Sequence, residues 1–238
     1  MKYHKIQDPS ESVSDAAASP AEAAAEDRTP RRRRFFNAKS VAYFGVLVAL
    51  EIILLVWGSA IPVGPSGAML NFSLLPIVLG AILLGPFAGM VLGLVSGIVI
   101  LIMVAAGAQG VFSVLFLEQP VMIALICIIK TTAAGFVSGL LYRAIAGKNG
   151  KAAVFTASLA APIVNTGVFI LGCLCIGGTI ENWWLGTNGF ASSAFSIIIF
   201  SFVGINFFIE FAINLILAPA LSTVIRVVEK RFQKKRKA

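Results

Sequence analysis

From Ala38 onward the chain is a series of apolar runs about 20 residues long, the length a helix needs to cross a bilayer, broken by Gly, Pro and short polar turns. The first run spans about Ala38 to Ser59. A Pro- and Gly-rich loop, Ile61 to Asn71, follows it. The second run, about Phe72 to Leu84, is short, holds Pro76 and ends at Gly85-Pro86. The third covers about Phe87 to Ala105, and a Gly- and Phe-containing stretch, Ala106 to Gln119, leads to the fourth, about Pro120 to Ala146. The polar turn Lys148-Asn149-Gly150-Lys151 separates it from the fifth, about Ala152 to Ile176. After Gly177 to Gly189 the sixth begins near Ser193 and reaches at least Leu217, with a kink expected at Pro219 before a basic end. The period-2 alternation of a membrane β-barrel is absent.

Charge sets the orientation. Residues 1–36 are polar and low in complexity, which predicts a disordered tail. It ends on the basic block Arg31 to Arg34, and it is not a signal peptide. A second basic tail covers 227–238. Basic flanks favour the cytoplasm, so both termini are predicted inside and the number of crossings is even. Arg143, Lys148 and Lys151 fall on the cytoplasmic side of that arrangement, and the outer loops carry only Glu118 and Glu181. The prediction is an all-α integral membrane protein with six transmembrane helices over 37–226 and both termini cytoplasmic. Composition agrees: 58% of residues are hydrophobic and 13% charged, and mean hydropathy is +0.91. The net charge of +8 reads as a topology signal and as attraction to anionic membrane lipid rather than to nucleic acid.

Against this background three charges stand inside apolar runs: Glu51, Lys130 and Glu210. A charge in hydrocarbon is costly unless it faces a bundle interior or a wet cavity, so each marks a candidate site. At about 1.5 Å per residue, Lys130 lies roughly 15 Å below the outer surface and Glu51 roughly 13 Å. Asn165 lies in the outer half of the fifth run. Asn206, Glu210 and Asn214 share a helical face at four-residue spacing. One reading is a small outward cavity in which Lys130 meets a ligand carboxylate or phosphate, with Glu51, Asn165, Asn206 and Glu210 taking polar groups. The other is a structural network in which Lys130 pairs with Glu210 or Glu51 and the asparagines join helices. Trp57, Trp183 and Trp184 are expected at the outer interface, and Trp183 is counted among the candidate substrate contacts.

Small residues recur at near four-residue spacing at Ala38, Ala42, Gly45 and Ala49, and again at Gly89, Gly93 and Gly97. Such stripes let helix backbones approach closely, within the bundle or against another membrane protein. Cys127, Cys173 and Cys175 form no disulfide or metal pattern, and the sole histidine, His4, lies in the tail. No metal site, cofactor or catalytic constellation is expected, and there is no Walker A motif. The chain therefore reads as a non-enzyme.

NFSLLPIVLGAILLGPFAGMVLGLVSG (Asn71 to Gly97) resembles the second and third helices of the substrate-binding S components of energy-coupling factor (ECF) transporters. KTTAAGFVSGLLYR (Lys130 to Arg143) and APIVNTGVFILG (Ala161 to Gly172) are similar to helices four and five of that bacterial family. The resemblance implies a plasma-membrane protein that binds a vitamin or related micronutrient with high affinity. Its partners would be a transmembrane coupling subunit and two ATPase subunits, which hydrolyse the ATP. The family docks through small residues of helix one, a role that would fall here to Ala38, Ala42, Gly45 and Ala49. Pro62 to Ala68 resemble the family's outer lid. Lys130 favours an anionic or zwitterionic substrate. Two other classes stay open: a stand-alone proton-coupled secondary transporter using Glu210 or Glu51, and a scaffold without a substrate. Internal inverted repeats, the mark of the former, are not evident.

Overall fold

The computed structural model describes residues 38–63 and 68–234, with side chains over 40–61 and 69–223. The tail over 1–36, the centre of the expected lid and the last residues of the basic end lie outside the described residues. Among the described residues the regular structure is helical apart from one hairpin. Helix α1 is Ala38–Ser59; β1 (Pro62–Val63) pairs antiparallel with β2 (Ala68–Met69); α2 is Leu74–Leu83 and α3 is Pro86–Ala105. Then come α4 (Val111–Glu118), α5 (Pro120–Ala146), α6 (Gly150–Cys175) and α7 (Gly177–Asn188). A single turn, α8 (Ala194–Ser196), passes through a π-helix (Ile197–Val203) into α9 (Gly204–Lys234). Among the described residues five helices are long and apolar enough to cross a membrane, so this is a multi-pass membrane architecture.

Two expectations change. Ala106 to Gln119 and Gly177 to Gly189 hold the helices α4 and α7 rather than plain loops. The last helix runs through Pro219 to Lys234, which makes much of the expected basic tail helical. The turn between α5 and α6 forms as the sequence suggests. Asn149 caps α6 by accepting from the N–H groups of Lys151 and Ala152, each at 3.1 Å, which satisfies donors that the first helical turn leaves open.

Helix α5 is the axis of the bundle, packed along α3 and α6. The contact with α3 is made by glycines. A Cβ on Gly89 would stand 2.6 Å from the carbonyl oxygen of Gly135, and one on Gly93 would strike the backbone of Thr131. The space so freed lets Thr131 donate its hydroxyl to the Gly93 carbonyl at 2.6 Å. Between α2 and α3, Gly85 takes a positive φ of 108°, open to glycine, with the Arg143 guanidinium occupying the place of its missing side chain.

Helix α2 is the most enclosed element. It touches α1, α3, α5, α6 and α9, and Leu74, Ile77 and Val78 are fully buried. It is only ten residues long. Residues 68–73 lead into it as a short strand, extended chain and a turn. Phe72 stacks on Trp57 of α1 with 5.5 Å between ring centroids. Non-helical backbone among membrane helices must find its partners inside the protein, and this stretch finds them in the site described next.

Candidate functional site

A cavity of about 70 Å³ opens between the 69–71 segment, the α4 entrance, α5, α6 and the π-helix–α9 junction. Its polar wall is Asn71, Gln109, Lys130, Asn165, Thr166, Asn206 and Glu210. Its apolar wall is four phenylalanines, Phe112, Phe169, Phe202 and Phe207, joined by Met69 and Val203. Phe112 meets both Phe169 and Phe202 edge-on, with centroids 5.2 and 5.3 Å away. At about 10–15 Å³ for each water, the cavity holds a few waters or one compact polar molecule.

Each element sets one group in place. The π-helix ends just before Gly204, so Phe202 and Val203 precede the turn that carries Asn206 and Glu210. Insertions of this kind recur at functional sites in helices. Glu210 is buried, and its Oε1 accepts the backbone N–H of Asn71 at 3.0 Å. One turn on, the Asn214 amide donates to the Glu210 carbonyl at 2.8 Å. Asn71 Oδ1 accepts both the N–H and the hydroxyl of Ser73, at 3.0 and 2.6 Å. The carboxylate of Glu210 thus holds down the non-helical approach to α2.

Lys130 is treated differently. Its ammonium lies 5.2 Å from the centre of the Phe169 ring, a cation–π contact. Glu210 lies within its field, but Lys130 forms no ion pair among the described residues. Three amide atoms of the wall are buried without a hydrogen-bond partner: Asn71 Nδ2, Asn165 Oδ1 and Asn206 Oδ1. Buried polar groups are ordinarily satisfied, so one free donor and two free acceptors around an unpaired ammonium are specific openings for a ligand. Among the described residues, no group of three or more His, Cys, Asp or Glu side chains could hold a metal ion.

Of the six residues singled out from the sequence, Lys130, Asn165, Asn206 and Glu210 meet in this cavity. Glu51 does not line it. It is fully buried on the inner face of α1, facing Ser96 of α3, because α1 packs chiefly on α2 and α3. Trp183 is also outside the wall. It packs on Phe202 at 6.0 Å and on Trp184 at 6.2 Å, behind the cavity. The sequence reading did not single out Asn71, Gln109, Thr166 or the four phenylalanines. Asn71 had one signal, a polar residue closing a Pro- and Gly-rich loop just before an apolar run. The small residues of α1 divide by position: Ala42, Gly45 and Ala49 are exposed, while Ala38 belongs to α1 with its side chain outside the described residues. No protein-family model matches the chain, and no curated protein matches it.

Proposed function

We propose that the chain is the substrate-binding subunit of an ATP-driven importer of the energy-coupling factor kind in a bacterial plasma membrane. It would take up a compact anionic or zwitterionic micronutrient. The observation that carries this reading is the unpaired Lys130 ammonium facing a cavity with three unsatisfied amide atoms. Lys130 would take the substrate's carboxylate or phosphate. The Asn71 amide N–H would serve a second acceptor, and Asn165 and Asn206 would receive N–H or O–H groups. The phenylalanine wall suits a flat or apolar body. The exposed Ala42, Gly45 and Ala49 face of α1 supports docking of a membrane coupling subunit, with ATP hydrolysis left to partner subunits. Six crossings with both termini inside fit the lengths. The strand, turn and helix over 68–84 reach roughly 33 Å, enough for a hydrocarbon core of about 30 Å.

Native mass spectrometry of the detergent-purified chain tests this. The expected spectrum carries a small-molecule adduct that disappears in Lys130→Met. An empty wild-type chain that also binds nothing from an anionic vitamin panel would contradict it. A second reading, a proton-coupled secondary transporter, is favoured by one observation: Glu51 and Glu210 are both buried carboxyl groups on membrane-length helices, and Glu210 lines the cavity. Uptake of the adduct molecule into proteoliposomes holding this chain alone, driven by a proton gradient, would select that reading.

A further inference from the structure

The unpaired groups of the cavity wall can be counted, and the count narrows the molecule that fills it. On the donor side stand Asn71 Nδ2 and the Lys130 ammonium, which forms no ion pair among the described residues. The Asn71 amide is fixed in this sense, because its Oδ1 accepts both the N–H and the hydroxyl of Ser73. On the acceptor side stand Asn165 Oδ1 and Asn206 Oδ1, both buried without a partner, and the carboxyl group of Glu210. Asn165 and Glu210 are only 5% and 3% exposed. Asn206 and Glu210 lie one turn apart on one face of α9, which sets a neutral acceptor beside an acid. A singly charged anion answers half of this wall. Its oxygens would accept from Lys130 and Asn71, but it brings no hydrogen for the amide oxygens and sets a second negative charge near Glu210. Phosphate has the same fault with more charge. A lone hydroxyl offers one hydrogen to three acceptor groups and no charge to the acid. A protonated amine offers two or three N–H groups and the positive charge that a buried carboxylate needs. Net charge is costly inside a membrane bundle, and with a zwitterion between Lys130 and Glu210 the charges sum to zero.

Resting on the proposed function, we infer that the ligand is a compact aminocarboxylate zwitterion whose cationic nitrogen bears at least two N–H groups, and that Glu210 is the residue that selects it over a plain anion. The ligand carboxylate accepts from Lys130 and Asn71 Nδ2. The ligand ammonium donates to Asn165 Oδ1, Asn206 Oδ1 and the Glu210 carboxylate, whose Oε1 also holds the Asn71 backbone N–H. The phenylalanines enclose the carbon skeleton between the two charged ends. Glu210 thus serves the fold through Asn71 and the specificity through its charge, and the two tasks separate when the charge alone is removed.

Calorimetric titration of the detergent-purified full-length chain tests this with matched probes. Glycine, β-alanine, γ-aminobutyrate and phenylalanine are each compared with the same acid lacking the amine and with the trimethylammonium betaine. The expected result is binding by at least one aminocarboxylate, roughly 10- to 150-fold tighter than by its two analogues, the range for losing a charge-assisted hydrogen bond. Glu210→Gln still offers the Asn71 N–H an acceptor, so it should melt close to wild type, and its preference should collapse toward one. A deaminated acid or betaine that binds wild type as tightly as its aminocarboxylate overturns this inference and leaves the proposed function standing. An unchanged preference in Glu210→Gln does the same. A small molecule released from wild type and identified by mass spectrometry should carry both groups, and one without a protonated nitrogen overturns the inference alone. Binding by no probe, together with an empty wild-type spectrum, removes the proposed function and this inference with it.

Discussion

Helices α1 and α3 carry the same kind of small-residue stripe and use it in opposite ways. On α3, Gly89, Gly93 and Gly97 lie against the backbone of α5, where any Cβ would meet a main-chain atom. On α1, Gly45 has nothing within 4 Å of where its Cβ would be, and Ala42 and Ala49 are exposed beside it. Spacing tells a helix that another backbone can come close; it does not name the partner. In α3 the partner is already within the bundle. In α1 the stripe is left open, and its neighbours Val46 and Ile53 are also exposed. The two acidic and basic groups of the cavity divide in the same manner. Glu210 is committed to the Asn71 backbone, and Lys130 is left without an ion pair.

The largest effect should come from filling the committed stripe. Gly93→Leu should prevent recovery of folded protein. Even Gly93→Ala should cost about 3 kcal/mol, at the upper end of what overpacking does, since backbone and not a movable side chain is in the way. Thermal melting in detergent measures it. On the open stripe, Gly45→Trp and Ala49→Trp should leave stability within about 0.5 kcal/mol. On the proposed function they should also leave ligand retention intact while abolishing uptake. Normal uptake in both would dissolve the contrast and return α1 to lipid.

For the charges, Lys130→Met should weaken ligand affinity roughly 10- to 150-fold, the value of a charge-assisted hydrogen bond of about 1.5–3 kcal/mol. Glu210→Leu should lower stability by about 1–3 kcal/mol, because the Asn71 N–H is left buried and unpaired. Glu210→Gln, which keeps an acceptor, should be close to neutral. Equal losses in Leu and Gln would show that the charge matters rather than the accepted bond.

The long helices were legible because Gly, Pro and polar turns punctuate their apolar runs; α1 and α5 begin and end where those signals stand. Helix α2 was visible only as an ambiguity. Half of its approach is extended chain held by Glu210, a partner 139 positions away along the sequence. Helices α4 and α7 were missed because short apolar stretches with glycine look alike as helix or loop. Lys130, Asn165, Asn206 and Glu210 could be found because polarity is rare in such runs. The four cavity phenylalanines could not, since each is one of 18 and a lipid-facing ring reads the same. Glu51 was marked as a charge in an apolar run, but it lies outside the cavity, because counting residues gives a position along the helix and direction follows from packing. The π-helix left no mark in the sequence pattern.

The measurement that goes most directly to the unpaired Lys130 is a comparison of melting temperatures, without added ligand, of wild type, Lys130→Met and Lys130→Met with Glu210→Gln. An ammonium held open for a ligand has only the Phe169 ring to set against the cost of its own burial. Lys130→Met should therefore melt at or above the wild-type temperature, and the second change should add nothing. A lower melting point in Lys130→Met, restored by Glu210→Gln, would show an internal ion pair and contradict the proposed binding of an anion in the cavity.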